Sequence, residues 1–249
     1  MTDLSSSPQI RHQSRSDEIA AILRDAILGG QYRPGERLPS ERDLCDRFAV
    51  SRGAVREALK KLEQLGIASI QPGGARVVSI QSCTLDVLGP LLDLNPMPDP
   101  KLVDEVLQLF GTLMDLAARA AIERATDDDL EHAEAIVAEI LADDSSDVRQ
   151  HEAVRRLGEF YVDLADHLVL RLMINGLRTT FFERMHGLGI HLQLDGELLR
   201  DTVGKLRGAL RARDSAAVGS AMKELNRLFR DSARVALRDA TATQQRIPA

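Results

Sequence analysis

Two arginines at the start of a basic segment have the type and spacing that DNA recognition requires. The segment, residues 51–65, reads SRGAVREALKKLEQL and places Arg52 and Arg56 one helical turn apart. A guanidinium group can donate two parallel hydrogen bonds to O6 and N7 of guanine in the major groove. Gly53 and Ala54 are small enough to let a helix tip approach a partner closely. The segment therefore predicts a helix that enters the major groove, with Arg52 reading a guanine.

The residues around this segment predict a helix-turn-helix. Ser51 is a good N-cap for the helix, and residues 40–47 begin with a capping-box pattern and are typical of a short preceding helix. Arg42 on that short helix is expected to contact phosphate or an adjacent base, as is Arg56. The buried side of the recognition helix is predicted from apolar residues at helical spacing, Val55, Leu59, Leu62 and Leu65. A further helix upstream is predicted from Ile19, Ile22, Leu23, Ala26 and Ile27.

Two short β-patterned stretches after these helices predict a hairpin. Residues 67–70 and 76–80 flank a turn that contains Gly73 and Gly74, and glycine-rich turns of this kind join antiparallel strands. A hairpin in this position is the wing of a winged helix, and its glycines are expected to let the wing approach the minor groove. The predicted DNA-binding domain spans residues 16–80, behind a flexible N-terminus of residues 1–15.

Several blocks of sequence in this domain match a known family in the same order. The blocks are PGERLPSERDL, then SRGAVREALKKLEQLGI, then the glycine-containing wing. Together they resemble the DNA-binding domain of the GntR family of bacterial transcription regulators over residues 30–80. The resemblance implies a homodimer that binds a palindromic operator in double-stranded DNA, with one winged helix on each half-site.

Charge and cysteine content support a two-domain intracellular DNA-binding protein. Residues 1–80 carry a net charge of +2, whereas the rest of the 249 residues carry −8. Phosphate would repel the acidic half, which helps to orient the protein on a duplex. The sequence has two cysteines without a CxxC motif, and it shows no signal peptide and no apolar run of membrane length. These features indicate a cytoplasmic protein with no membrane partner. The sequence shows no nucleophile–base arrangement and no phosphate-binding loop, so we do not expect an enzyme.

The second half of the sequence predicts an all-α helical bundle, so the fold class is mainly α. Three prolines in residues 96–100 mark a linker, residues 81–100, with a short helix at residues 85–92. The bundle is expected to span residues 101–239 and to end in a flexible tail, residues 240–249. Its helices are predicted at residues 101–124, from residue 126, at 147–167, at 169–186, at 196–211 and from residue 215.

A winged helix followed by an all-α bundle resembles the FadR subfamily of the GntR family. Most bundles of that subfamily carry a metal held by one Asp and three His, and those positions correspond here to Leu157, Tyr161, Val203 and Leu225. Leucine and valine cannot bind a divalent ion, because such ions take deprotonated carboxylate or neutral imidazole ligands. The sequence therefore predicts no metal site and no resident cofactor.

A branch of the same subfamily lacks the metal and binds long-chain acyl-CoA. Residues 172–177 and 85–92 resemble that branch, although the branch has a tryptophan on its last helix and this chain has none. The resemblance implies release from DNA by an acyl-CoA, with a role in fatty acid metabolism. The alternatives are release by a small organic acid, and a DNA-binding protein with no effector. The expected effector-binding residues are Phe110, Met114, Leu157, Phe160, Tyr161, Met173, Leu177, Phe181, Leu225 and Phe229.

Overall fold

The computed structural model describes residues 14–142, 147–188, 190 and 193–244. The chain forms two compact units that divide between Pro96 and Met97. Residues 1–13 and 245–249, which belong to the ranges expected to be flexible, lie outside the described residues. Within the described ranges, no helix combines the length and the apolar character needed to cross a membrane.

The first unit contains a three-helix arrangement, a two-stranded sheet and a short helix after it. Its elements are α1 (Arg15–Leu28), α2 (Glu41–Phe48), α3 (Arg52–Gln64), β1 (Ala68–Gln71), β2 (Gly74–Val77) and α4 (Leu88–Leu92). Two 3₁₀ turns, Ile80–Ser82 and Leu85–Val87, lie between β2 and α4. The predicted helix-turn-helix and the predicted hairpin are both confirmed.

Side-chain caps determine where the helices of this unit begin. Ser40 and Asp43 form the capping box predicted for α2, and hydrogen bonds from Ser40 lower the pKa of the Asp43 carboxyl. The side-chain oxygen of Ser51 accepts a hydrogen bond from the backbone N–H of Ala54 at the start of α3. Ala49 ends α2 with φ 53°, in the left-handed region. These caps place the start of α3 four residues after the end of α2, as a helix-turn-helix requires.

The core of the first unit contains the apolar stripe predicted for α3. Val55, Leu59 and Leu62 are buried against residues of α1, α2 and β1. The expectation for Ile22 is wrong, since this residue is 47% exposed while Leu28 is buried instead. The reason is a rotation of α1 that buries the side carrying Ile19, Leu23 and Ile27.

The strands of the hairpin differ in their bounds from the prediction. They pair Ala68 with Val77 and Gln71 with Gly74, so the second strand begins two residues earlier than expected and ends before Ile80. Gly73 and Gly74 have φ values of 101° and 123°, which residues other than glycine rarely adopt. Because both glycines take these conformations, a tight turn joins Gln71 to Gly74, and no longer loop separates the two strands.

Among the described residues of the second unit, every regular element is a helix. Its elements are α5 (Pro100–Arg124), α6 (Asp127–Leu141), α7 (Asp147–Leu164), α8 (Leu168–Leu177), a π-helical turn (Arg178–Phe182), α9 (Glu183–Gly187), α10 (Gly196–Arg211) and α11 (Ser215–Gln244). α7 ends earlier than predicted, because His167 instead caps the start of α8 with its ring nitrogen. α11 continues through residues 240–244, where a flexible tail was expected.

The two longest helices, α5 and α11, run antiparallel and pack closely. Asp104 near the start of α5 pairs with Arg230 in the middle of α11, at 2.7 Å. Farther along, Gly111 of α5 faces Asn226 of α11 without room for a Cβ between them. Gly219 of α11 allows an equally close approach to α5. This helix pair forms one wall of the cavity described below.

Candidate functional site

The tip of α3 is open to solvent. Arg52 and Gly53 are exposed, and Arg52 makes no hydrogen bond or ion pair with any residue that the structure describes. A Cβ built on Gly53 would meet only the Ser51 side-chain oxygen, at 3.8 Å. Ala54 is half-buried beside them. The helix therefore presents an unengaged guanidinium next to an almost bare stretch of backbone.

The other two arginines of the predicted DNA-binding set make different contacts. The Nε of Arg56 donates to both carboxylate oxygens of Glu41, at 2.9 and 3.1 Å, and this pair joins α3 to α2. The terminal nitrogens of Arg56 remain for a second partner. Arg42 is exposed and lies 4.0 Å from Asp46, a distance at which an exposed ion pair contributes little. Arg56 thus orients the recognition helix, while Arg42 is available at the surface.

An arginine without a predicted role lies beside the wing. A bridge between Arg37 and Arg76 places residue 37 next to β2, and the Nε of Arg37 lies 2.9 Å from the position that a Cβ would take on Gly74. Any side chain at residue 74 would displace this guanidinium. Arg37 belongs to the PGERLP block, but its position next to the wing depends on a contact between residues distant in sequence. The wing of the structure therefore carries a cation beside Gly73 and Gly74.

The second unit contains a cavity of about 560 Å³ between α5, α7, α8, the π turn and α11. This volume lies within the range of about 300–1,000 Å³ that is typical of small-molecule sites. Most of the wall is apolar. The lining side chains that were predicted from the sequence are Phe110, Met114, Leu157, Leu225 and Phe229.

The remaining predicted cavity residues do not line the cavity. On α8, Met173 is 37% exposed and Ile174 takes the inward position. Leu177 and Phe181 are buried, but Phe182 is the aromatic side chain at the wall and packs on Phe110 with ring centroids 4.8 Å apart. A π turn carries more residues per turn than an α-helix and so changes which side chain faces inward. The prediction assumed one regular helix through this region.

Phe160 and Tyr161 occupy a different side of α7. The Phe160 ring packs on His132 of α6, with centroids 5.3 Å apart, and on Tyr161. Tyr161 is fully buried, and its burial raises the pKa of the phenol. Both side chains therefore contribute to the contact between α7 and its neighbours in the unit.

Charged side chains line the cavity where α7 faces α8. Glu159 accepts hydrogen bonds from Arg155 and from Arg178, the latter at 2.8 Å, and Arg171 pairs with Asp163. All five residues line the cavity, and the paired side chains are about half exposed. Arg155 and Glu159 pair within α7. Arg171 and Arg178 acquire their partners only when α8 and the π turn pack against α7, which a pattern within one helix does not predict.

The four positions that carry metal ligands in most FadR-type bundles do not fit a metal ion here. Leu157 and Leu225 line the cavity, and Val203 is buried in α10. Tyr161 is buried and its raised pKa opposes ionisation, so it is a poor metal ligand. No group of three or more His, Cys, Asp and Glu side chains that could hold a metal ion occurs in the described part of the chain.

Both units match known families. Residues 15–78 match the family of bacterial regulatory proteins called gntR, and residues 105–227 match the FCD domain. An HTH-type transcriptional regulator of Mycobacterium tuberculosis is 31% identical over 216 residues, which cover 85% of this chain and 86% of that protein.

Two further relatives have names that state what they regulate. The galactonate operon transcriptional repressor of Escherichia coli is 29% identical over 182 residues, which cover 69% of this chain and 77% of the repressor. The fatty acid metabolism regulator protein of Shewanella frigidimarina is 33% identical over 99 residues, 39% of this chain and 41% of that regulator.

These relatives are regulators of transcription and not enzymes. The family matches lie within the two structural units, with the gntR match on the winged helix and the FCD match on the helical bundle. The likeness to the M. tuberculosis regulator extends over most of both proteins. The chain therefore belongs to the GntR family of bacterial transcription regulators and carries an FCD domain of the FadR type after its DNA-binding domain.

Proposed function

We propose that the protein is a cytoplasmic homodimer that represses transcription from a palindromic operator, with one winged helix on each half-site. The observation that carries this proposal is the exposed, unengaged Arg52 at the open tip of α3. A single recognition helix reads few base pairs, so two copies on a two-fold symmetric site are the usual solution. The net charge of only +2 over residues 1–80 also favours two copies over one.

We further propose that a long-chain acyl-CoA, or a related fatty acyl compound, binds in the FCD domain and releases the protein from DNA. The mostly apolar wall of the cavity and the loss of the metal ligands support this class of effector. The relative that regulates fatty acid metabolism supports it as well, over its shorter match. Each CH₂ group that leaves water contributes about 0.8 kcal/mol, which is enough for a long chain to bind tightly.

A small organic acid is the second candidate effector. The arginines at the cavity, Arg155, Arg171 and Arg178, are suited to a carboxylate, provided that it competes with Glu159 and Asp163. The galactonate operon repressor, which matches more of this chain than the fatty acid regulator does, supports this alternative. A cavity of about 560 Å³ argues against a bundle that binds no effector.

The test is release of the protein from operator DNA, measured by fluorescence anisotropy. Acyl-CoAs of increasing chain length are expected to release the protein at progressively lower concentrations, because a longer chain buries more apolar surface. Release by a small sugar acid, with no response to acyl-CoA of any length, would favour the second candidate. An effector releases the protein only if it binds the released state more tightly than the DNA-bound state. A compound that binds both states equally would not release the protein and would not be its effector.

Two methionines in the FCD domain provide matched variants for this test. Met114 is buried at the cavity wall, whereas Met173 is exposed and does not line it. Met114→Gln is expected to weaken the response to the effector by roughly tenfold or more while operator affinity stays unchanged. Met173→Gln is the control and should respond like the natural protein. Equal responses of the two variants would contradict the placement of the effector in this cavity.

A further inference from the structure

One half-buried polar side chain on the apolar wall of the cavity has no hydrogen-bond partner in the described ranges. Asn226 of α11 lines the cavity next to Leu225 and Met222. Its amide lies directly over Gly111 of α5, where a built Cβ would come within 2.0 Å of the Asn226 Cγ and Nδ2. Gly111 thus leaves room for this amide in the closest part of the contact between α5 and α11.

The Asn226 side chain makes no hydrogen bond with any residue of the described ranges. A primary amide offers two donors and one acceptor with two lone pairs. Asn226 is half-buried and water reaches its amide in the ligand-free protein, but an apolar surface that covers this amide would leave its hydrogen-bonding groups unsatisfied. Asparagine is also a poor helix former compared with leucine. For the stability of α11 alone, leucine would be the better residue at this position.

The charged groups of the cavity differ from Asn226 because they have partners, and Asn175, whose side chain also makes no hydrogen bond in the described ranges, differs because it is exposed. Arg155 and Arg178 share Glu159, and Arg171 pairs with Asp163. Those ion pairs are half exposed, so solvent also hydrates them. The amide of Asn226 stands between apolar side chains on the wall formed by α5 and α11, where a bound molecule would exclude water from it.

We infer that Asn226 selects the ligand of this cavity by bonding an oxygen on the part of the ligand that lies against α5 and α11. The inference rests on the proposed function of the cavity and narrows the ligand class. The buried part of the ligand carries a hydroxyl, carbonyl or carboxylate oxygen. A saturated hydrocarbon tail at this wall would bury the amide without a partner. A polyhydroxy acid, or an acyl chain that carries an oxygen, fits the site better than a plain saturated chain.

The experiment compares the natural protein with Asn226→Leu, which keeps the approximate shape and removes the hydrogen-bonding groups. Three probes are titrated against the protein on operator DNA: palmitoyl-CoA, its ω-hydroxy counterpart, and gluconate. The expected result is a response to the oxygenated probes that weakens roughly tenfold in the variant, a change of about 1.4 kcal/mol. The response to palmitoyl-CoA should stay the same or become stronger. Gln108→Leu makes the corresponding change on the exposed surface of α5 and should alter none of the responses.

Thermal unfolding of the full-length protein without ligand provides a second measurement. Asn226→Leu is expected to raise the melting temperature by about 2–4 °C, because leucine forms helix better than asparagine and buries more apolar surface against α5. A purely structural asparagine would give a lower melting temperature instead. A fall in the melting temperature, or an equal change in the responses to all three probes, would overturn the inference.

The two measurements separate the inference from the proposed function. If no probe releases the natural protein from DNA, the proposed effector classes are wrong, and the melting temperature alone decides the role of Asn226. In that case a rise supports a ligand-binding residue kept at the expense of stability. A fall assigns Asn226 to packing and refutes the inference.

Discussion

At the scale of single residues, the DNA-binding face depends on which arginines are engaged. Arg52 has no partner in the described structure, whereas Arg56 is held by two hydrogen bonds to Glu41. Residues of the same type that are both exposed therefore differ in their contacts. An unengaged guanidinium can bond a base edge at no cost to the fold, while removal of Arg56 also loosens α3 from α2.

Arg52→Ala is expected to weaken binding to the specific operator by about 1–3 kcal/mol, with the loss concentrated at one base pair. The reason is the loss of a bidentate contact to guanine. Gel-shift titrations on the operator, on operators with single base changes and on random DNA measure this effect.

Arg42→Ala serves as the control if Arg42 contacts phosphate and not an adjacent base, because a phosphate contact contributes to all DNA alike. This variant should weaken binding uniformly and lower the salt dependence. If Arg52→Ala lost as much affinity for random DNA as for the operator, Arg52 would not read a base.

At the scale of elements, close contact between α5 and α11 depends on two glycines. Gly111 accommodates the amide of Asn226, and Gly219 accommodates Asp115 and Arg119, whose atoms lie within 2.4 Å of a built Cβ. A regular amphipathic pattern predicts both helices, but it does not predict that they approach at these positions. Small residues at a contact allow helix axes to come closer, and the side chains around them then pack against backbone.

Gly111→Ala is expected to destabilise the protein by about 1–3 kcal/mol, because the added methyl group collides with Asn226 and forces helices apart. Urea unfolding measures the change. Gly204→Ala is the matched control on α10, since this glycine is exposed and a built Cβ meets nothing within 4 Å.

The control should be neutral or stabilising by about 0.4–1 kcal/mol, because alanine restricts the unfolded chain. The two variants therefore differ in the expected sign of their effect. If Gly111→Ala and Gly204→Ala changed the free energy of unfolding equally, α5 and α11 would be able to move apart with no loss of stability. The close contact would then make no measurable contribution to stability.

At the scale of the whole molecule, the two units differ in charge and in ligand chemistry. Residues 1–80, which include the winged helix, carry a net charge of +2 and the remaining residues −8. The FCD domain has Leu157, Tyr161, Val203 and Leu225 at the positions of the metal ligands found in most bundles of its type. We expect purified protein to contain well under one equivalent of zinc, nickel or other transition metal by elemental analysis. The physical reason is that Leu157, Val203 and Leu225 have no atoms that bind such ions.

Treatment with a chelator provides a second test of the same prediction. A structural metal would contribute to the folding free energy, so its removal would lower the melting temperature. Because we expect no such metal, the melting temperature should not change after chelation. One equivalent of metal per chain, together with a lower melting temperature after chelation, would contradict the assignment.

Helix caps and helix bounds could be predicted from the sequence, because they depend on residues within a few positions of one another. The sequence predicts Ser51 as a helix cap and a capping box that begins at Ser40, and both caps are present. The helical period predicted α10 with its observed bounds, residues 196–211. The sequence by itself thus determined the helix-turn-helix, the existence of the wing, the all-α bundle and the family.

Only the tertiary structure decided how the helices are rotated and which side chains meet. The π turn after α8 replaces Phe181 with Phe182 at the cavity, and the orientation of α8 replaces Met173 with Ile174. Arg37 reaches the wing, and Asn226 lies over Gly111, through contacts between residues far apart in the chain. A periodic pattern specifies an apolar side to within about one residue, whereas a cavity wall depends on the packing of several helices at once. The cavity and its unpartnered amide are therefore properties of the folded molecule.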